Sequence, residues 1–172
     1  MSDRRYLYLG LVLLGLALGW VLLHRPQASE SFVSGAAPGF ALRTLVGTGS
    51  VTLNNTQGKV RLIAFWATWC PPCVAEIPTL KKMQETYGPK GFQVIAISLD
   101  ENVQAVLDMN NEVHFNYPVL EGNQQVVKDY GDFTGVPTSF LVGKDGMLRE
   151  VIPGMAEESS LKTSIEDALK GK

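Results

Sequence analysis

Only two cysteines, Cys70 and Cys73, and two histidines, His24 and His114, occur in the 172 residues. Without a second cysteine pair or a histidine cluster, a tetrahedral zinc site lacks ligands. A scaffold held together by many disulfides is excluded for the same reason. No Gly-Lys-Ser/Thr follows Gly47-Thr48-Gly49, so those glycines make a turn and not a phosphate loop. Nor is there an internal repeat. Basic charge is also scarce: residues 1–25 hold three of the 15 Lys and Arg and one of the 17 Asp and Glu, leaving a net charge of −4 on the rest. A nucleic-acid surface therefore has no basis. What remains, 45% apolar and 19% charged, fits one ordinary globular domain with an appendage.

The appendage is the uncharged run Tyr6 to Leu23, preceded by Arg4 and Arg5. Eighteen apolar residues just span a bilayer. The arginines place the N-terminus in the cytoplasm and the remainder outside. No small-x-small cleavage site directly follows the run; Pro26-Gln27-Ala28 is a poor match and Ser34-Gly35-Ala36 is distant. The expectation is a retained single-pass anchor in the inner membrane over residues 1–25, then a Ser, Ala, Gly and Pro linker over 26–37, then a domain over 38–172.

Both cysteines follow the run Val60-Arg61-Leu62-Ile63-Ala64-Phe65-Trp66, which suits a buried strand. After them Val74, Ile77, Leu80, Met83 and Tyr87 recur at helical spacing. Cys70 thus stands where a strand hands over to a helix, and the unpartnered first amides and positive end of the dipole favour a thiolate there. Thiols in such positions have pKa values of roughly 3.5–7.5. Cys70 is the expected attacking thiol, and Cys73, one turn in and more buried, the resolving one. Pro71 and Pro72 suit the first turn but remove two donors from the Cys70 sulfur. A structural staple is disfavoured, because closing so short a loop constrains the unfolded chain little.

Elsewhere the pattern predicts a hairpin of Phe40-Ala41-Leu42 with Val51-Thr52-Leu53, and a strand Phe92 to Leu99 parallel to the first by a right-handed crossover. A helix around Val103, Val106 and Leu107 should end near Asn110-Asn111. A short strand Tyr117 to Leu120, a short helix through Val126, Val127 and Tyr130, and a hairpin Thr138–Gly143 with Met147–Ile152 follow. The last helix places Leu161, Ile165, Ala168 and Leu169 on one face, with Glu157 and Glu158 in its first turn.

Trp-Cys-x-x-Cys between strand and helix, followed by Gly135-Val136-Pro137-Thr138 entering a hairpin, resembles the thioredoxin fold. With Ala37-Pro38-Gly39-Phe40-Ala41-Leu42, Gly58-Lys59-Val60 and Phe-Trp-Ala-Thr-Trp-Cys-Pro-Pro-Cys, the chain resembles, from about Ala37 to Leu169, the membrane-anchored extracytoplasmic thioredoxins of the TlpA/ResA/CcmG (DsbE) group. The resemblance implies an α/β fold: a central mixed sheet flanked by helices, with an N-terminal hairpin extension. It further implies a cis Val136-Pro137 bond facing the cysteines, backbone pairing of a substrate beside it, and Glu76 near the thiols. Thioredoxin's buried aspartate six residues before its first cysteine is replaced by Ala64, which makes Glu76 the candidate proton carrier. Trp69 is expected at the rim and Trp66 in the packing. Expected substrate contacts are Trp69, Pro71, Pro72, Val136 and Pro137.

These readings converge on a thiol-disulfide oxidoreductase needing no cofactor or metal, which reduces disulfides in exported proteins. Apocytochrome c, with its Cys-x-x-Cys-His haem site, is the client suggested by analogy. A transmembrane donor of the DsbD/CcdA type would restore the thiols. Two other functions use the same pair: an oxidant that donates its disulfide, and a module carrying Cu(I) between the thiolates. Against the last, no Met-rich or His-rich stretch accompanies the cysteines. Phe133-Thr134 lengthens the segment after Tyr130 by a residue, and Pro137-Thr138-Ser139 lacks the glutamate that often follows this proline in the CcmG branch.

Overall fold

A computed structural model describes residues 35–171. The expected anchor over residues 1–25 and most of the linker lie outside the described residues. Among those described, no helix is long and apolar enough to cross a membrane.

Val60–Trp66 forms β3, buried at every position, as its apolar composition requires. It pairs in parallel with β4 (Phe92–Ser98), from Val60 opposite Phe92 to Trp66 opposite Ser98. On its other side it pairs antiparallel with β6 (Thr138–Val142). β7 (Leu148–Pro153) extends that edge, and β5 (Val119–Glu121) lies parallel to β4. With β1 (Ala41–Val46) and β2 (Ser50–Thr52) the seven-stranded mixed sheet runs β2-β1-β5-β4-β3-β6-β7.

Alternation along β3 divides the core. Val60, Leu62, Ala64 and Trp66 pack with Ile77, Leu80, Met83 and Tyr87 of α1 (Pro71–Tyr87) and with Leu161, Ile165 and Ala168 of α4 (Glu158–Leu169). Val106 of α2 (Val103–Val113) joins the same cluster. Ile63 and Phe65 face the opposite way, onto Phe140, Tyr130 and Val126 of α3 (Gln124–Asp129). Phe65 stands edge-on to Phe140 at 5.8 Å. Both ends of β3 are thereby fixed, and the chain leaving its C-terminus has little freedom.

Element ends fall within a few residues of the predicted ones, with three informative departures. The hairpin is part of the sheet: β1 continues to Val46 and pairs antiparallel with β5 across a bulge between Thr44 and Val46, burying Leu42. α2 runs on past Asn110-Asn111 to Val113 because Asn110 serves as an internal stop, its Oδ1 accepting from Phe115 N–H at 3.2 Å while His114 takes the left-handed conformation. Ordered pairing also begins before Pro38, where Ala37 N–H donates to the Gly146 carbonyl at 2.9 Å and Leu148 N–H to that of Gly35 at 3.0 Å.

Arg61, the second residue of β3, is 2% exposed. Its guanidinium donates to the Thr56 and Gly143 carbonyls, so the buried charge ties two loops at the end of the sheet remote from the cysteines. Burial pushes its pKa down. Arg61→Ala would leave both carbonyls short of a donor, a loss of about 1–3 kcal/mol in urea unfolding. The potential of the distant thiol pair should not move, and a shift beyond experimental error would refute this separation.

Candidate active site

Ala67, Thr68 and Trp69 turn the chain from the end of β3 into α1, and Cys70 is the N-cap of that helix. Pro71 and Pro72 occupy its first two positions, exposed, where missing donors matter least. With those donors absent, the first amide able to reach the cap is that of Cys73, which points at the Cys70 sulfur at 3.3 Å. The two cysteines are joined by a disulfide, their Cα atoms 5.3 Å apart. Both are nearly inaccessible, Cys70 at 4% and Cys73 at 2%. The expected contrast in burial has the predicted sign but is slight.

The turn before β6 faces the pair. Val136-Pro137 is a cis peptide, and the Cys70 sulfur lies 3.5 Å from the Val136 carbonyl oxygen. That contact becomes a hydrogen bond when Cys70 is a thiol, since a disulfide sulfur has no proton to donate. Pro137 is buried and Val136 half-buried. The Pro137 carbonyl accepts from Gly154 N–H at 2.8 Å, fastening the segment after β7 to the same place.

Glu76 follows Cys73 by three residues, hence on the same face of α1, and is 3% exposed. Its Oε1 accepts from Ala156 N–H at 2.8 Å. Burial raises its pKa, and the Ala156 hydrogen bond opposes that only in part. The buried Tyr117 hydroxyl has its own pKa raised, by burial first and then by the Glu76 charge.

A family model described as Redoxin matches residues 33–169. The chain belongs to the Redoxin family. A "Thiol-disulfide oxidoreductase ResA" of Bacillus thuringiensis is 32% identical over 167 residues, spanning 94% of this chain and 95% of that one. Its namesake in Bacillus subtilis is 28% identical, over 94% and 92% of the two chains. A solved thiol:disulfide interchange protein of the thioredoxin family from Chlorobium tepidum superimposes with a TM-score of 0.73 at 28% identity, covering 79% of this chain and 97% of that one. This Redoxin protein is thus a thiol-disulfide oxidoreductase of the TlpA/ResA/CcmG type with the thioredoxin fold.

The Redoxin scaffold brings the sequence candidates together around one disulfide. Trp69 stands at the rim, 66% exposed, whereas Trp66 is buried and packs on Phe115 at 5.5 Å. Glu76 is not the solvated helix glutamate that an isolated sequence would suggest. Met155 is not among those candidates. It is 56% exposed, on a segment fastened on one side by Gly154 to Pro137 and on the other by Ala156 to Glu76. Its only sequence signal is the Pro153-Gly154 turn, which says nothing of proximity to residues some 80 positions earlier.

Proposed function

We propose that the chain is a reductant of disulfides in exported proteins, held at the extracytoplasmic face of the membrane by Tyr6–Leu23. The Cys70 thiolate attacks one sulfur of a client disulfide. The client S–S bond breaks, its departing sulfur takes a proton, and a mixed disulfide with Cys70 forms. Cys73 then gives its proton to the Glu76 carboxylate and attacks the Cys70 sulfur. The Cys70–Cys73 bond closes, and the second client sulfur leaves as a thiolate that takes the proton back from Glu76, so two electrons from the dithiol and two protons, one from solvent and one from Cys73, have passed to the client. Carrying this reading is the placement of Cys70: capping α1 and opposite the Val136 carbonyl, with buried Glu76 one helical turn beyond Cys73. A raised pKa suits a carboxylate that must take up and return a proton near neutrality.

Trp69, Pro71, Pro72, Val136 and Pro137 form the client surface, where an extended segment adds to the backbone before the cis proline. Apocytochrome c, carrying Cys-x-x-Cys-His, is the client this reading favours, and a membrane donor of the DsbD/CcdA type returns the two electrons. Equilibration of the pair with a dithiol buffer tests the direction. A potential near −270 mV agrees with a reductant, and one near −120 mV would overturn it in favour of a disulfide donor.

Exposed Met155, on the segment tied to Pro137 and Glu76, extends the client surface. Losing about 1 kcal/mol of apolar contact between the client and this exposed methionine predicts that Met155→Ala slows reduction of a peptide disulfide roughly fivefold. Reaction with a small disulfide too short to reach it should be unchanged. Equal losses for both substrates would remove Met155 from the client surface.

A further inference from the structure

β3 and β4 run in parallel register as far as Trp66 opposite Ser98, and Leu99 N–H still reaches the Trp66 carbonyl at 2.9 Å. Beyond that the backbones part, because Thr68 must turn towards α1. The next position along β4 is Asp100, and its side chain bridges the gap. Its two oxygens accept from Thr68 N–H at 3.1 and 3.0 Å, and Oδ1 also accepts from the Thr68 hydroxyl at 2.5 Å. Oδ2 additionally accepts from the Ser98 hydroxyl at 2.8 Å, and Asp100 N–H donates to the Ser98 Oγ at 3.0 Å. One half-buried carboxylate thus receives every donor that Thr68 possesses. Charge-assisted bonds of this kind are about twice as strong as neutral ones.

Thr68 lies inside the turn that sets the nucleophile, where Cys70 N–H donates to the Ala67 carbonyl at 3.2 Å. That turn gives Cys70 its extended cap conformation and aims the Cys73 amide at its sulfur. With prolines at the next two positions, few other donors are available locally.

We propose that Asp100 is a positioning residue for thiol-disulfide exchange: it replaces the missing β3–β4 ladder bond and holds the Thr68–Cys70 turn so that the α1 N-terminus stabilises the Cys70 thiolate. It touches neither sulfur and acts only through Thr68. The inference rests on the exchange chemistry of the family and not on the direction or client proposed above.

Two variants separate position from charge. Asp100→Asn loses the charge but keeps an oxygen for Thr68 N–H, and the Thr68 and Ser98 hydroxyls can rotate to suit the amide. Asp100→Ala loses both. The expected result is that reduced Asp100→Asn is alkylated at Cys70 at about the wild-type rate at pH 7. Asp100→Ala should react about tenfold more slowly than Asp100→Asn, because fewer molecules carry the thiolate. The same factor makes its potential about 30 mV more negative. Thr68→Val, which removes only the hydroxyl donor, should fall between them and substitutes if Asp100→Ala does not fold. Arg61→Ala serves as a destabilised control whose potential does not move. Identical alkylation profiles and potentials for Asp100→Ala and Asp100→Asn, or for Thr68→Val and wild type where Asp100→Ala cannot be prepared, would overturn the proposal and leave Asp100 a purely structural brace.

Discussion

Cys73→Ser should stop turnover at the mixed disulfide, lowering the steady-state rate by at least about a thousandfold while leaving the first attack intact. In the folded protein the second thiol waits one helical turn away, its Cα 5.3 Å from that of Cys70, within the usual span of a disulfide. Well-oriented intramolecular groups behave as though present at roughly 10⁵ M or more. An external thiol at millimolar concentration cannot replace such a partner, so the adduct persists. Mass spectrometry of the variant after incubation with a disulfide-bonded peptide should show one peptide per chain, attached at Cys70. Cys70→Ser should form no adduct and show no turnover, because Cys73 is enclosed by the cap residue and the apolar cluster containing Ile77 and Tyr117. Turnover by Cys73→Ser near the wild-type rate, or an adduct on Cys70→Ser, would reverse the assignment of the two thiols.

The centre of this mechanism was legible because two periodicities meet at Cys70. Seven apolar-rich residues before it fit a strand buried on both faces, and the spacing after it fits one helical face. Pro71 and Pro72 narrowed the handover to a single position. Legibility failed where contacts join distant segments. Nothing local to Ala41–Val46 reveals that it pairs with Val119 and Leu120, more than 70 residues later. Helical spacing placed Glu76 beside Cys73, but its burial depends on Ala156, which approaches from beyond β7. Asp100 reads as an ordinary acidic residue after a strand until the parallel register sets it beside Thr68. A cis Val136-Pro137 bond could be expected only from family resemblance, since most X–Pro bonds are trans. Turn chemistry was misjudged at Asn110, whose polar side chain sits within the last turn of α2 and not after it.

Glu76→Gln should make the folded domain less sensitive to pH and the enzyme slower. Burial raises the Glu76 pKa above its ordinary value of 4.5, so in the interval above that value the folded state holds a proton that the unfolded state has released. Stability therefore falls as pH rises through this interval. It is fully retained below the ordinary glutamate range, and the whole penalty is present once pH exceeds the raised value. Glutamine keeps an oxygen for Ala156 N–H and never ionises, so its stability curve should lack this decline. Urea unfolding from pH 4 to 8 should show the two proteins with the same slope against pH at the acid end and the wild type losing ground towards neutrality. Activity should change in the opposite sense. Without a group to receive the Cys73 proton, closure of the Cys70–Cys73 bond should slow by about a hundredfold, the lower end of the range for general acid–base catalysis. The initial attack on the client should keep its rate, because that step does not draw on the Cys73 proton. A buried carboxylate that weakens the fold at working pH while speeding the closing step is a trade of stability for activity. Parallel stability curves across the whole range, or an unchanged closing step, would show that Glu76 serves the Ala156 segment alone.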